Sequence, residues 1–218
     1  MQSFTPRLFI VVGNPASGKD ELISAVNILG SLHAEIVPKH TDRYWRPGDD
    51  AEMICKWIPN SKDGFPQFIH NKEFDLKGCD VTYTNYNARY GIKTDAIWDK
   101  LQTGISQVLV VSNKKALNKL RNIFGHLAVI LYVYSQITRE EYLEKERVKE
   151  EKKLKEDANY KSDPNYLKQR AENFDMSWKL YEDNFMLFDH VFIYADKEED
   201  LFDQIFRLFR AYEKGMIT

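Results

Sequence analysis

The chain has 218 residues, 43% of them hydrophobic, and a formal net charge of -2. That length buries one substantial core with a smaller subdomain attached, and the near-neutral charge excludes a global pull toward nucleic acid or an anionic membrane. Two isolated cysteines, Cys55 and Cys79, point to a reducing compartment rather than a disulfide scaffold, and five scattered histidines with no Cys/His cluster argue against a zinc site.

The first predicted element is the apolar run Leu8-Phe9-Ile10-Val11-Val12, a short buried strand. It begins so near the start of the sequence that no removable signal peptide is expected. Gly13-Asn14-Pro15-Ala16-Ser17-Gly18-Lys19-Asp20 follows, and then an amphipathic pattern that predicts a helix over Glu21–Leu29. Strand, glycine-framed loop and helix start are what a phosphate-binding P-loop requires. Glycines let the backbone turn tightly enough to aim several N–H groups at one oxyanion. The helix start adds partial positive charge at the same point, and Lys19 reaches the outer phosphates. Residues Gly13 to Asp20 are therefore predicted to bind ATP, with magnesium.

Asp20 departs from the usual pattern, in which Ser or Thr follows the lysine and ligates magnesium. Two readings stand. A carboxylate is a hard-oxygen ligand that replaces the hydroxyl, or Asp20 is a favourable acid in the first helical turn.

Further along, Glu35–Val37, Val108–Val111, Ala128–Tyr134 and Val191–Tyr194 read as buried strands. Asp95–Gln102, Lys114–Phe124 and Lys197–Tyr212 read as helices, the last with capping-box spacing at Asp196 and Glu199. Strands alternating with helices predict βαβ units around a parallel sheet. The longest purely apolar run, Leu127 to Val133, is far shorter than a membrane span, so a soluble, cytoplasmic protein is expected.

Two segments interrupt the alternation. Residues 38–93 are rich in aromatics, prolines and short alternations such as Val81-Thr82-Tyr83-Thr84-Asn85-Tyr86, and read as an inserted mixed subdomain. Between Thr138 and Lys161, within a segment bounded at 136–172, charge dominates. Glu141 with Lys145 and Glu151 with Lys155 have the spacing of a solvated helix with few core contacts, which is either an exposed linker or a mobile lid. From Asn165 an aromatic seam steps by threes and fours through Tyr166, Phe174, Trp178, Tyr181, Phe185 and Phe188. Arg170 falls on that seam. It either lays its stem along the core and snorkels its head or points a guanidinium into a cleft. The core is then 1–37, 94–135 and 173–218.

The order of these motifs resembles the guanylate kinase family of P-loop phosphotransferases. The family's arginine segment, roughly T-T-R-x-P-R-x-G-E, stands here as Thr41-Asp42-Arg43-Tyr44-Trp45-Arg46-Pro47-Gly48-Asp49, and its Tyr-Gly element as Tyr90-Gly91-Ile92. The resemblance implies that Arg43, Arg46, Tyr90 and Gly91 hold a phosphate already on the acceptor. It also implies that Lys19, Arg147 and Arg170 serve the transfer, the two arginines coming down with the lid. A planar guanidinium fork suits a phosphate monoester, although a surface-charge role for Arg43 and Arg46 is the alternative from spacing alone.

The chain departs from that family where guanine is read. Asp80-Val81 stands in place of the glutamate, Ile92 in place of a Ser or Thr, and Ser112-Asn113 in place of aspartates. Tyr90-Gly91-Ile92 with Val111-Ser112-Asn113 is similar to the related ribose 1,5-bisphosphate phosphokinases, which lack the paired arginines. The expectation is an ATP-dependent kinase acting on a phosphorylated small molecule, either a nucleoside monophosphate or a sugar phosphate. It is not expected to need nucleic acid or membrane, and a homodimer is compatible with it. A guanylate-kinase-like binding module and a regulatory nucleotide hydrolase are the alternatives.

Overall fold

The computed structural model describes residues 5–19, 21–22, 34–42, 53–55, 59–60, 67–68, 76–85, 88–156, 164–194 and 198–217. The expected helix over 21–29 is described only at its start, and the capping pair at 196 and 199 lies outside the described residues and side chains.

Among the described residues the centre is a five-stranded sheet. Its strands are β1 (Leu8–Gly13), β2 (Ala34–Ile36), β9 (Ser106–Val110), β10 (Ala128–Ser135) and β11 (His190–Tyr194), in the spatial order β11-β10-β1-β9-β2. All neighbours run parallel. The central strand β1 is buried along its whole length, which is why its sequence is a continuous apolar run rather than an alternation.

Alternate β1 side chains feed two cores. Leu8, Ile10 and Val12 pack with Ile97, Leu101, Leu117, Leu120 and Phe124, from α1 (Thr94–Gln102) and α2 (Lys114–Phe124). Phe9 and Val11 pack with Leu201, Ile205, Phe209 and Tyr212 on the other face, and Phe9 meets the Phe209 ring edge-on at 4.1 Å. Asn113 starts α2 by accepting the Ala116 N–H at 3.1 Å, as an N-cap should.

From β1 the chain passes β9 to reach β2, whereas from β9 it passes β1 to reach β10. The connections therefore part between β1 and β9, and such a switch point opens a ligand crevice at the carboxyl ends of the strands. The loop after Gly13 and residues 111–113 border that crevice.

A second sheet follows β2 directly, in the order β4-β3-β8-β7, from β3 (Lys39–Thr41), β4 (Met53–Cys55), β7 (Val81–Asn85) and β8 (Ala88–Ile92). Here β7 and β8 form an antiparallel hairpin, and β3 adds antiparallel to β8 and parallel to β4. A short ribbon, β5 (Pro59–Asn60) with β6 (Gln67–Phe68), accompanies it. The second sheet is tied to the first where Lys39 donates from Nζ to the Val110 carbonyl at 2.7 Å.

The charged segment forms α3 (Arg139–Glu156), which packs against α4 (Tyr166–Glu182). The helix α3 is mostly exposed, as its charge spacing predicts, with Tyr142, Glu146 and Glu150 forming one buried stripe at i, i+4 spacing. One expectation is corrected here: the aromatic seam does not continue as one helix to Phe188, because α4 ends at Glu182 and Phe185 is left exposed.

The last helix, α5 (Glu198–Glu213), backs the edge strand β11. Its Gln204 accepts the Ile193 N–H at 3.1 Å and donates to the Ile193 carbonyl at 2.8 Å. No described helix is long and apolar enough to cross a membrane.

Candidate active site

At the carboxyl end of β1 the loop 13–18 closes on itself. A Cβ added at Gly13 would lie 2.5 Å from Ser17 Oγ and 2.6 Å from the Val133 carbonyl, so only glycine fits that cradle. Ala16 and Gly18 take φ of 57° and 82°, the left-handed region in which Gly18 is at ease and Ala16 is strained. Ser17 N–H donates to the Asn14 carbonyl at 3.2 Å, and Leu22 N–H makes the first helical bond to Gly18 at 2.9 Å.

Lys19 curls back over this loop. Its ammonium donates to the Gly13 carbonyl at 3.0 Å, to the Asn14 carbonyl, and to Ser17 Oγ at 3.2 Å. A mobile cation resting on loop carbonyls is one that an incoming polyphosphate can recruit. The cradle fits a phosphate group, since a tight glycine turn leading into a helix start is how backbone N–H groups are gathered on an oxyanion.

Asn14 is wholly buried, and its Oδ1 accepts the hydroxyl of Tyr132 on β10. Burial pushes the Tyr132 hydroxyl far above its ordinary pKa, so it remains a protonated donor. Its ring lies 4.4 Å from Tyr181 and 4.9 Å from Phe188. Asp20, the candidate magnesium ligand, lies outside the described residues. Among the described residues no group of three His, Cys, Asp or Glu side chains could hold a metal.

On the second sheet, Tyr90 is buried and stacks on Tyr83 at 5.2 Å with the rings 13° apart. Burial, with the neighbouring Tyr90, raises the Tyr83 hydroxyl well above its ordinary value. Gly91 lets the 76–79 turn close in, for a Cβ there would meet Cys79 Sγ at 2.7 Å. Thr41 pairs across from Tyr90 and hydrogen-bonds the Arg89 carbonyl at 3.0 Å. The sheet thus holds the start of the arginine segment beside Tyr90, while Arg43 and Arg46 themselves lie outside the described residues.

Asp42 clasps Arg89, accepting its N–H and its Nε at 2.7 Å each. Burial would raise the Asp42 carboxyl, but the Arg89 hydrogen bonds and charge outweigh it and hold the pKa below the usual range. The base-reading positions are occupied differently. Val81 and Ile92 are fully buried in the core, and the Asp80 carboxylate accepts Thr94 N at 2.9 Å and Oγ1 at 2.7 Å, capping α1.

Both candidate lid arginines are engaged with carboxylates. Arg147 donates to Glu144 at 2.6 and 2.9 Å and to Glu151 at 2.5 Å, all on its own helix. Arg170 places Nε 3.1 Å from Glu146 Oε2 and lies over the Tyr166 ring at 4.9 Å. Glu146 also accepts the Tyr166 hydroxyl at 2.7 Å and Lys149 at 2.9 Å. Arg170 thus ties α3 to α4.

Sequence reasoning missed Tyr132, Glu146 and Arg89. A tyrosine inside the apolar run 127–134 and the Tyr142–Glu146–Glu150 spacing were the available signals for the first two. Arg89 had none, since its partner Asp42 is 47 residues away.

No family model and no curated protein matches the sequence. Among solved structures, a guanylate kinase from Anaplasma phagocytophilum is similar, with a TM-score of 0.58 and 14% identity, covering 97% of this chain and 88% of that one. A gluconokinase from Sinorhizobium meliloti 1021 matches at 0.44 and 11% identity, covering 99% of this chain and 97% of the other. A dephospho-CoA kinase from Campylobacter jejuni matches at 0.37 and 12%, over 96% and 99% of the two chains. The last two scores are too low to carry an argument. The first is a likeness of fold, an α/β fold that this chain builds on a five-stranded parallel sheet.

Proposed function

We propose that the chain is a magnesium-dependent phosphotransferase that moves the γ-phosphoryl group of ATP to a small acceptor already bearing a phosphate. The observation that carries this reading is the glycine cradle at the switch point, with the Lys19 ammonium resting on its carbonyls. A second sheet presents Tyr90 beside the start of the arginine segment, which supports an acceptor site. Transfer of this kind is mostly positioning and charge neutralisation, with little need for a side-chain nucleophile.

In this reading Lys19 and the loop amides hold the donor phosphates, and Asp20 orients the metal. Magnesium, when bound, neutralises charge on the β and γ oxygens. Arg43, Arg46 and Tyr90 hold the acceptor phosphate. Arg147 and Arg170 exchange their carboxylate partners for the transferring group, and closure of the lid excludes water. The likeness of fold to a guanylate kinase supports a nucleoside monophosphate. The buried Val81 and Ile92, and an Asp80 spent on capping α1, argue against guanine. A site without partners for a polar base edge forfeits discrimination of about 1–3 kcal/mol per group. A monophosphate chosen without strict base reading, or a ribose phosphate, fits better.

The test is ADP release over a panel of nucleoside monophosphates and ribose phosphates, with Lys19→Ala as control. Acceptor-dependent release that Lys19→Ala abolishes supports the reading. Steady ATP turnover indifferent to every acceptor replaces it with a regulatory hydrolase. No nucleotide binding at all replaces it with a binding module.

A further inference from the structure

The phosphate loop contains a buried donor that no group among the described residues uses. Asn14 is 0% exposed, and its Nδ2 has no hydrogen-bond partner among the described residues. Its Oδ1 is taken by the Tyr132 hydroxyl, which fixes the carboxamide's orientation. Turning the amide over would leave the carboxamide oxygen without a donor and the tyrosine hydrogen without its acceptor. The main chain of Asn14 is pinned as well, its carbonyl accepting both Ser17 N–H and the Lys19 ammonium. Burying an amide N–H without a partner is costly, and such groups in folded proteins call for an explanation.

We infer that the Asn14 carboxamide is a side-chain donor to the polyphosphate of the nucleotide, and that Tyr132 is the positioning residue that aims it. This rests on the reading of the loop as the ATP site and adds a contact that backbone amides and Lys19 do not supply. A polyphosphate entering the cradle draws the Lys19 ammonium off the Gly13 and Asn14 carbonyls, which opens the loop beside the carboxamide. The Nδ2 then meets a phosphate oxygen in a water-poor setting, where a hydrogen bond to a charged acceptor is at its strongest. Tyr132 sits on the strand beside the loop, paired with Val12 on β1, and holds the amide through its hydroxyl.

The test uses the full chain with two variants, Tyr132→Phe and Asn14→Asp. Tyr132→Phe keeps the ring packing against Tyr181 and Phe188 and removes only the lock. Asn14→Asp still accepts from Tyr132 but loses the donor and adds charge. Calorimetric binding of magnesium-ATP, of tripolyphosphate and of adenosine is measured, alongside thermal unfolding of each ligand-free protein. The expected result is ATP and tripolyphosphate binding weakened in parallel, by about tenfold in Tyr132→Phe and on the order of a hundredfold in Asn14→Asp. Adenosine binding stays unchanged. A purely structural pair would lower the melting temperature and leave the affinity of the folded variants at the wild-type value, which overturns the inference. If Asn14→Asp does not fold, Tyr132→Phe decides alone by the same criterion. Wild-type protein that binds neither ATP nor tripolyphosphate overturns the donor-site reading and this inference together. Wild-type binding with both variants unaffected overturns only the inference.

Discussion

Glu146 Oε2 lies 3.1 Å from Arg170 Nε, joining α3 to α4 across 24 positions of sequence. Glu146 is almost fully buried, and Arg170 keeps about a third of its side chain exposed. Burial alone would push the Glu146 carboxyl up, but Tyr166, Lys149 and Arg170 together hold it ionised, below its ordinary pKa.

Glu146→Ala should therefore loosen the helix pair by about 1–3 kcal/mol, because it strands the Tyr166 hydroxyl and the Arg170 fork at a half-buried interface. Glu146→Gln, which can still accept from Tyr166, should cost less. Hydrogen exchange over 139–156 reads the effect directly. Unchanged protection in Glu146→Ala would show the contact to be incidental.

Gly13→Ala should disable the loop. The new methyl would lie 2.6 Å from the Val133 carbonyl, a backbone atom of the neighbouring strand that cannot step aside. A stability loss of about 1–3 kcal/mol should come with at least a tenfold loss in ATP affinity as the cradle is forced open. Wild-type affinity by calorimetry would contradict the geometry of the loop.

Asp20→Ala should raise the magnesium concentration for half-maximal activity far more than it raises the ATP requirement, if the carboxylate serves the metal. Asp20→Ser should retain much of the activity. A magnesium dependence unmoved by Asp20→Ala would leave Asp20 as a helix-start charge only.

Arg43→Ala and Arg46→Ala should each raise the acceptor KM strongly and leave ATP binding nearly untouched. Equal losses for donor and acceptor in a two-substrate kinetic analysis would move these arginines out of the acceptor site.

Asp80 gives a pH signature. The Thr94 hydroxyl and amide hold its carboxyl below the ordinary range. A depressed native pKa adds stability above the unfolded value of about 3.9, and that stability is lost as pH falls through the lower native value. Asp80→Asn should lower stability by about 0.5–1 kcal/mol at pH 7, since the cap is exposed. The difference from wild type should shrink on acidification below about pH 4. Urea titrations at pH 7 and pH 3 measure it, and a gap that stays constant would mean the cap does not titrate.

Local pattern carried the sequence reading a long way. The continuous apolar run 8–12 reads as a buried central strand, and Lys114–Phe124 matches its helix end to end because Asn113 and Gly125 mark both termini. What stayed hidden depends on partners distant in sequence. Tyr132 meets Asn14 across 118 residues, and Arg89 meets Asp42 across 47, so no window of local periodicity contains either pair. Phe185 misled because threefold and fourfold spacing continues past Glu182, where the backbone has already left the helix.

Gln204 has a consequence for self-association. An exposed edge strand offers its N–H and C=O groups to any similar strand, the usual route to open-ended stacking of sheets. At Ile193 both groups are already taken by one glutamine side chain reaching across from α5. A second copy of the chain could not add a strand through Ile193 without first displacing that amide. If the protein forms a homodimer, its contact should therefore be sought on a face other than this margin. Gln204→Ala, which bares the margin, would be the variant to watch for concentration-dependent aggregation.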